Sequence, residues 1–446
     1  MQASVNEREL VLDMLLQITR DGEYSHIVIK NVLDKYQYLD KRERAFITRV
    51  VNGTLERMIE IDYIINQFSK VKVNKMKPVI RTILRSSVYQ MKYMDSVPDS
   101  AICNEAVKLA GKRGFVNLKG FVNGVLRNIG RNLDKISYPD EKDQETFISI
   151  KYSLPEWMVK QWLKVYDEET VKMIGKAFLE EKPLTVRFDE HKIKKVELIS
   201  ILEKEGVTAG EVPEIPCALY LSGYDHLSAL PSFCEGLYQV QDLSSMQVAL
   251  WSEVKAGDQV LDVCAAPGGK AIHIAELLNG TGHVEARDLT EYKVALIRDN
   301  IERSGLTNIN AVCQDAAIYD PHKKETADIV IADLPCSGLG VLGKKPDLRY
   351  KMNEKTEADL VELQKKILSV VKDYVKPGGK LLYSTCTVNR QENDSNVKWI
   401  QDNLPFKLQS LNGIVPEQLK CEKGCLQIYP GQYGMDGFFV SLFIRE

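Results

Sequence analysis

The chain has 446 residues, 44% hydrophobic and 27% charged, with a formal net charge of −3. This composition excludes a largely disordered, collagen-like or fibrous chain, and no run of about 18 apolar residues predicts a membrane span. The length suggests about three domains, and the near-neutral charge taken alone argues against a nucleic-acid partner.

The charge is unevenly placed. Residues 1–140 carry 23 Lys+Arg against 16 Asp+Glu, net +7, and the remainder carries 36 against 46, net −10. A basic module joined to an acidic one predicts divided labour. Glu7, Arg8, Glu9 and Asp13 interrupt the N-terminal apolar residues, unlike a secretory signal. Nine cysteines without such a signal predict reduced thiols and a cytoplasmic address. Cys421 and Cys425 have no second Cys/His pair at zinc-site spacing, so no metal is expected.

Residues 1–135 read as helices only. Leu10, Val11, Met14, Leu15 and Ile18 share one face. Pro78 suits a first helical position, with Ile80, Ile83, Leu84 and Val88 behind it. Asp99 reads as an N-cap for a helix carrying Ile102, Ala106 and Leu109, with Gly111 as its stop. Phe121, Val122, Val125, Leu126 and Ile129 make another stripe. Such stripes are bundle core. The basic residues beside them are Lys41, Arg42, Arg44, Arg49, Lys70, Lys72, Lys75, Lys77, Arg81 and Arg85. A charged helix face is usually only solvated, but their density in the one basic part of the chain suggests RNA binding.

Residues 141–235 read as a small mixed α/β connector. It contains Pro183, Pro213, Pro216 and Pro231, the extended stretch Leu184–Phe188 and a loop over Val212–Pro216. From 236 onward, strand and helix alternate. Strands are expected at 260–263, 283–286, 310–313, 329–332 and 380–384, and helices at 270–278, 292–303 and 356–375. Pro377-Gly378-Gly379 reads as a turn, and 437–445 as a last, antiparallel strand. This alternation predicts a doubly wound, mostly parallel sheet.

Ligands of such sheets sit beyond the carboxyl ends of the strands. Asp262, Asp288, Asp315, Asp333 and Cys386 fall at five successive ends. Aspartates also cap turns there, but five in succession point to one crevice. The first strand runs into Cys264-Ala265-Ala266-Pro267-Gly268-Gly269-Lys270. The glycines permit close approach of a ligand, and the next helix offers free N–H groups to an anion such as a carboxylate. This is neither the triphosphate-binding loop nor the dinucleotide fingerprint, which disfavours a nicotinamide dehydrogenase. Asp288, 20 residues past Gly268, suits a ribose diol. A nucleoside cofactor without pyrophosphate fits both observations. Cys336, in Asp333-Leu334-Pro335-Cys336-Ser337-Gly338, and Cys386, in Ser384-Thr385-Cys386-Thr387, both follow strands. A thiolate there suits attack on an electron-poor ring carbon, although a buried structural thiol is the commoner fate of a cysteine. Cys264 reads as such a packed thiol.

The run Asp262–Lys270, the Pro-Cys and Thr-Cys motifs and Asp436-Gly437-Phe438-Phe439-Val440 resemble the RNA cytosine-5 methyltransferases of the NOL1/NOP2/Sun family. Asp40–Phe46, Ile83–Arg85 and Phe121–Arg127 resemble the RNA-binding helical domain NusB. The resemblance covers nearly the whole chain and is weakest over 150–235. It implies a NusB-like all-helical domain, a connector and a Rossmann-like methyltransferase domain, with boundaries placed at 1–140, 141–235 and 236–446. It implies S-adenosylmethionine as cofactor and RNA as partner, 16S rRNA for this domain fusion, in a cytoplasmic monomer that touches neither membrane nor DNA. By the same resemblance Cys386 is the nucleophile, Cys336 assists release, and Asp333 contacts the base. Asp288 would hold the ribose, Asp315 the adenine side, and residues 264–270 the methionine end. Lys270 would either neutralise carboxylates or touch the substrate. Relatives commonly carry Asp-Ala-Pro-Cys where Leu334 stands, and often two arginines where Lys344 and Lys345 stand. The rival readings are a methyltransferase of another RNA such as tRNA, and a non-catalytic RNA-binding assembly or antitermination factor.

Overall fold

The computed structural model describes residues 6–213, 215–411, 419, 421 and 424–446. Glu214, within the expected Val212–Pro216 loop, lies outside them. Two compact units are present. One comprises Met1–Glu180 with Leu342–Lys351, the other Glu181–Val341 with Met352–Glu446.

The first unit is helical. In chain order come α1 (Glu7–Thr19), α2 (Ser25–Lys35), α3 (Lys41–Glu56), α4 (Met58–Phe68), α5 (Pro78–Tyr93), α6 (Asp99–Lys112), α7 (Lys119–Gly130), α8 (Gln144–Tyr152), α9 (Glu156–Trp162) and α10 (Glu168–Ala177). The predicted stripes are its core: Val11, Met14, Leu15, Ile83, Leu84, Val88, Val122 and Leu126 are all buried. Asp40 and Glu43 start α3 with a reciprocal capping box. Pro78 is the first residue of α5, as its fixed φ and missing N–H favour.

Two expectations for α6 are corrected. Asp99 is its first helical residue rather than its cap, which is Pro98. There the carboxylate faces the positive end of the helix dipole without capping it. Gly111 lies inside the helix. The stop is Gly114, at φ +83°, with Phe115 N–H donating to Ala110 O and Gly114 N–H to Gly111 O. That paired bonding needs a left-handed residue, which glycine supplies without penalty.

By their contacts, α8, α9 and α10 cluster with the helices before them. The helical unit also takes in a distant segment, Leu342–Lys351. Arg349 is fully buried and donates to the carbonyls of Glu56, Ser153 and Leu342 at 2.9–3.1 Å. Tyr350 Oη donates to Leu55 O, and Ser25 N–H and Oγ donate to Asp347. Counted over these boundaries, the helical unit has 33 Lys+Arg against 25 Asp+Glu, net +8, leaving −11 for the other. The charge division is therefore sharper than a cut at 140 shows. Not all the basic residues face outward, however. Arg44 is buried and donates to Leu39 O and Gln37 O. Arg85 makes a two-pronged pair with Asp62 at 2.7 and 2.5 Å.

The second unit begins with an antiparallel sheet of β1 (Leu184–Phe188), β2 (Thr208–Glu211), β3 (Ala218–Ser222) and β4 (Tyr238–Val240), in the order β2-β3-β1-β4. Helices α11 (Lys195–Lys204) and α12 (Pro231–Cys234) accompany it, followed by α13 (Leu243–Leu250). Then come β5 (Gln259–Asp262), α14 (Gly269–Leu277), β6 (His283–Asp288), α15 (Glu291–Ser304), β7 (Ile309–Cys313) and β8 (Ala327–Asp333). After α16 (Leu348–Lys351), which lies in the helical unit, follow α17 (Glu354–Val371), β9 (Val375–Thr385), α18 (Asp394–Asn403), β10 (Phe406–Leu408), β11 (Cys425–Ile428) and β12 (Phe438–Arg445).

The main sheet runs β10-β12-β9-β8-β5-β6-β7, with β11 also on β12. β5 to β9 pair in parallel, and β12 is antiparallel to β9. This is the doubly wound sheet expected. The Pro377–Gly379 turn, however, is looped out within β9, where the register against β8 jumps from Ala327↔Val375 to Ile329↔Lys380. Proline can donate no ladder bond, so this stretch bulges while the strand continues on both sides.

Candidate active site

The strand order reverses between β5 and its neighbours β6 and β8, so the crevice opens at the carboxyl ends of β5 and β8. Asp262 ends β5 and Asp333 ends β8. Between them stands Lys270, from the first turn of α14, with its Nζ 2.7 Å from Asp333 Oδ2. Ser384, near the end of β9, donates its Oγ to Asp333 Oδ1 at 2.8 Å. Lys270 also lies 5.5 Å from the Phe438 ring centre. Burial opposes its charge, but Asp333 and Asp262 hold its pKa above the ordinary value. Of the two readings for Lys270, the geometry supports neutralisation of carboxylates.

Asp262 is the most perturbed carboxyl of the crevice. Burial, reinforced by Asp333, pushes its pKa up to about 7 against the pull of Lys270. Its Oδ2 is buried without a hydrogen-bond partner, while Oδ1 accepts from Cys264 N–H at 3.3 Å. The folded protein therefore holds a proton on Asp262 that the unfolded chain releases above its ordinary pKa of 3.8. That contribution is complete below about pH 4 and is lost as pH rises through about 7. Thermal melts of cofactor-free protein should lose stability across that window, and Asp262→Asn should flatten the slope. An unchanged slope in that variant would assign the effect elsewhere.

The loop between β5 and α14 turns on a cis Ala266–Pro267 bond and on Gly268 at φ +106°, where a side chain would be strained. Gly268 is the helix N-cap and carries no capping side chain. Asp288, buried at the end of β6, accepts from Ala266 N–H at 3.0 Å and Leu289 N–H at 2.7 Å, and pairs with Lys293 at 3.0 Å. It thus ties the loop to β6. Cys264 is pushed up by burial and then by Asp262 and Asp288, which suits a packed thiol. Asp315 lies just past β7 and accepts from Ala317 N–H at 2.8 Å, so its carboxylate also closes its own turn.

These residues fit S-adenosylmethionine. The orphaned Asp262 oxygen lies beside a glycine loop whose helix start accepts a carboxylate, so the two complement an amino-acid zwitterion. Asp288 lies on the neighbouring strand end.

The two cysteines meet. Cys336 Sγ and Cys386 Sγ are 3.4 Å apart, and both are partly accessible. The hydrogen bond with Cys386, then burial, pushes the Cys336 thiol well above its ordinary value. Either sulfur can donate to the other across this contact. Close backbone packing supports this arrangement. Gly340 N–H donates to Cys386 O at 3.0 Å and Gly437 N–H to Gly340 O at 2.9 Å. A Cβ on Gly340 would fall 2.2 Å from Gly437 O. The glycine of the Asp436-Gly437 motif is thus a close-approach residue for the Cys386 loop.

Around the thiols lies a buried polar network of Ser337, Thr387, Gln364, Glu392 and Asn393. Sequence reasoning passed over Glu392 and Asn393. They sit in Arg390-Gln391-Glu392-Asn393-Asp394, which reads as a solvated turn with no apolar period.

Comparison with known proteins agrees with this architecture. A family model described as 16S rRNA methyltransferase RsmB/F matches residues 249–444, the NusB family matches 5–131, and an RsmF/B-like ferredoxin-like domain matches 154–225. The probable ribosomal RNA small subunit methyltransferase B of Bacillus subtilis (strain 168) is 37% identical over 440 residues, covering 97% of each chain. That of Synechocystis sp. is 32% identical over 98% of this chain and 99% of its own. Among solved structures, PH0851 superposes with a TM-score of 0.83 at 24% identity, over 99% of this chain and all of that one, which shows the fold. NSun6 from Pyrococcus horikoshii, solved with SFG, covers 65% of this chain and 98% of its own, with a TM-score of 0.58 at 23% identity. Full-length identity to the curated relatives settles the family: the chain belongs to the S-adenosylmethionine-dependent 16S rRNA methyltransferases of the RsmB/F group.

Proposed function

We propose that the chain methylates C5 of a cytosine in 16S rRNA through a covalent bond between Cys386 and C6 of the base. The observation that carries this reading is the pair of thiols 3.4 Å apart, beside the Lys270–Asp333 pair, at the ends of two adjacent strands. One thiol suffices for a packed core. Two in contact match a reaction that needs a nucleophile and a separate group for proton work.

Cytosine C5 is a weak nucleophile. Cys386 adds as thiolate to C6, and the C5–C6 π electrons move onto C5. Bound S-adenosylmethionine supplies an electrophilic methyl group on sulfonium. C5 takes that methyl as the methyl–sulfur bond breaks, its electron pair staying on sulfur and leaving a neutral thioether. A base removes the C5 proton with Cys336 assisting that release, the electrons of the C5–H bond restore the C5–C6 double bond, and the C6–S bond breaks to regenerate the Cys386 thiolate. Asp333 contacts the N3/N4 edge of the base, since both its oxygens retain a free lone pair. Lys270 pairs with Asp333 and fixes its orientation. Asp288 holds the ribose, Asp315 the adenine side, and residues 264–270 the methionine end. The target cytosine must be unpaired or turned out of its stack to reach the thiols.

The curated relatives are named for the small ribosomal subunit, which favours 16S rRNA over tRNA. The paired thiols and the intact loop disfavour a non-catalytic assembly factor. The helical unit docks the RNA, through exposed Lys70, Lys72, Lys75 and Lys77 on the α4–α5 connection and Lys41 and Arg42 on α3.

The test is methyl transfer from labelled S-adenosylmethionine to 16S rRNA, with mass mapping of the product. One 5-methylcytosine at a single position is expected. Methyl on the exocyclic N4, or transfer to tRNA alone, sinks the reading. In the same assay, replacing the four lysines by alanine should reduce the salt slope of RNA affinity by about 0.9 for each lysine that neutralises a phosphate.

A further inference from the structure

The loops that carry the two thiols are gripped by two residues adjacent in sequence. Glu392 is fully buried. Its Oε2 accepts from Ser337 N–H at 2.9 Å and from Gln364 Nε2 at 3.0 Å, and its Oε1 accepts from Ser337 Oγ at 2.5 Å. Gln364 Nε2 also donates to Pro335 O at 2.8 Å. The backbone on both sides of Cys336 is therefore bound to this pair of side chains. Asn393 is also fully buried. Its Oδ1 accepts from Thr385 Oγ1 at 2.6 Å, and its Nδ2 donates to Thr387 O at 3.1 Å. Both neighbours of Cys386 are bound in turn. Ser337 Oγ and Thr387 Oγ1, 2.8 Å apart, close the ring.

We propose that Glu392 and Asn393 are positioning residues that set the separation of the two thiols. Glu392 places Cys336 for release of the product, and Asn393 places Cys386 for attack. Their Cα atoms are fixed about 3.8 Å apart by one trans peptide. A hold on each loop from neighbouring residues therefore transmits one short, stiff length to the thiol pair. The polarity of each contact suits this assignment. Ser337 N–H, Ser337 Oγ and Gln364 Nε2 all donate to the Glu392 carboxylate, which suits an acceptor-only side chain there. Asn393 meets one donor, Thr385 Oγ1, and two acceptors, Thr387 O and Gln427 Oε1, which an amide satisfies and a carboxylate does not.

This inference rests on the covalent reading above, and the experiment separates the two. Full-length protein is incubated with 16S rRNA and S-adenosylmethionine. Turnover and the denaturation-resistant protein–RNA adduct are both measured for wild type, Cys336→Ala, Glu392→Gln and Asn393→Ala. Glu392→Gln keeps the shape but turns an amide donor towards donors. Its turnover should fall by about tenfold or more, as misplacement of a reacting group does, while adduct accumulates as in Cys336→Ala. Asn393→Ala should lose turnover and adduct together. Calorimetric affinity for S-adenosylmethionine should stay unchanged in both, since the cofactor loop lies on another strand end. Loss of cofactor affinity, wild-type turnover in Glu392→Gln, or the same adduct signature in both variants overturns the positioning roles. Absence of adduct in Cys336→Ala, with normal turnover in wild type, overturns the covalent reading itself.

Discussion

Cys386→Ala is expected to abolish methyl transfer and to form no protein–RNA adduct, whereas Cys336→Ala should trap one. The asymmetry follows from the state of the thiol pair. The hydrogen bond with Cys386 and burial hold the Cys336 thiol well above its ordinary value, which disfavours Cys336 as the thiolate and leaves the attack to Cys386 in the proposed reaction. Without it, the π electrons of cytosine are never driven onto C5, and the rate should fall by roughly four orders of magnitude or more, as it does when other enzymes lose a covalent nucleophile. Without Cys336, addition and methylation proceed. Release of the C5 proton then goes unassisted, and the enzyme stays attached to methylated RNA. Gel mobility under denaturing conditions distinguishes the two. Adduct in Cys386→Ala but not in Cys336→Ala would reverse the roles.

Asp333→Asn should be nearly as severe for activity, for another reason. Asp333 sits between the ammonium of Lys270 and the hydroxyl of Ser384. An amide of the same shape removes the negative charge facing both Lys270 and the base edge. Loss of one such preorganised group commonly costs 10²–10³-fold in turnover, about 3–4 kcal/mol. Lys270 is left with the more distant, partly protonated Asp262, so folding stability should fall by about 1.5–3 kcal/mol, the range for a hydrogen bond to a charged group. Adding Lys270→Met should recover much of that stability and none of the activity. Recovered activity, or a double variant as unstable as the sum of the singles, would show that the pair is not the source of either effect.

The strand-end positions of the proposed site residues were legible because a parallel sheet delivers strand ends to one place. Asp262, Asp288, Asp333 and Cys386 fall where the alternation of strand and helix puts them, and Gly268 marks a turn that only the local backbone decides. Periodicity also gave the stripes of α1, α5 and α7, since it reports which face of one element is buried. It is silent about what buries that face. Arg85 therefore reads as an outward-facing cation although the Asp62 carboxylate on another helix claims it, and Arg44 does so although the nearby carbonyls of Gln37 and Leu39 hold it inside. Gly111 was taken for the end of α6 because glycine often ends helices. Left-handed backbone decides the matter, and it occurs three residues later. Glu392 and Asn393 escaped for the same reason as Leu342–Lys351. Their environment is made by segments far away in sequence, and the local composition is that of an ordinary polar turn.

The borrowed segment has a consequence for how the chain comes to fold. Domains emerging from the ribosome generally fold in order, N-terminal first. Here the helical unit lacks the Arg349 guanidinium and the Tyr350 hydroxyl until residue 351 has been made, with more than three quarters of the chain already synthesised. Until then, the carbonyls of Leu55, Glu56 and Ser153 have no donors from this segment. Nascent chains stalled before that point should carry a helical unit that opens readily to protease, and those stalled after it a resistant one. The chain thus passes between the two units three times, so the helical unit cannot be excised as one continuous stretch of sequence.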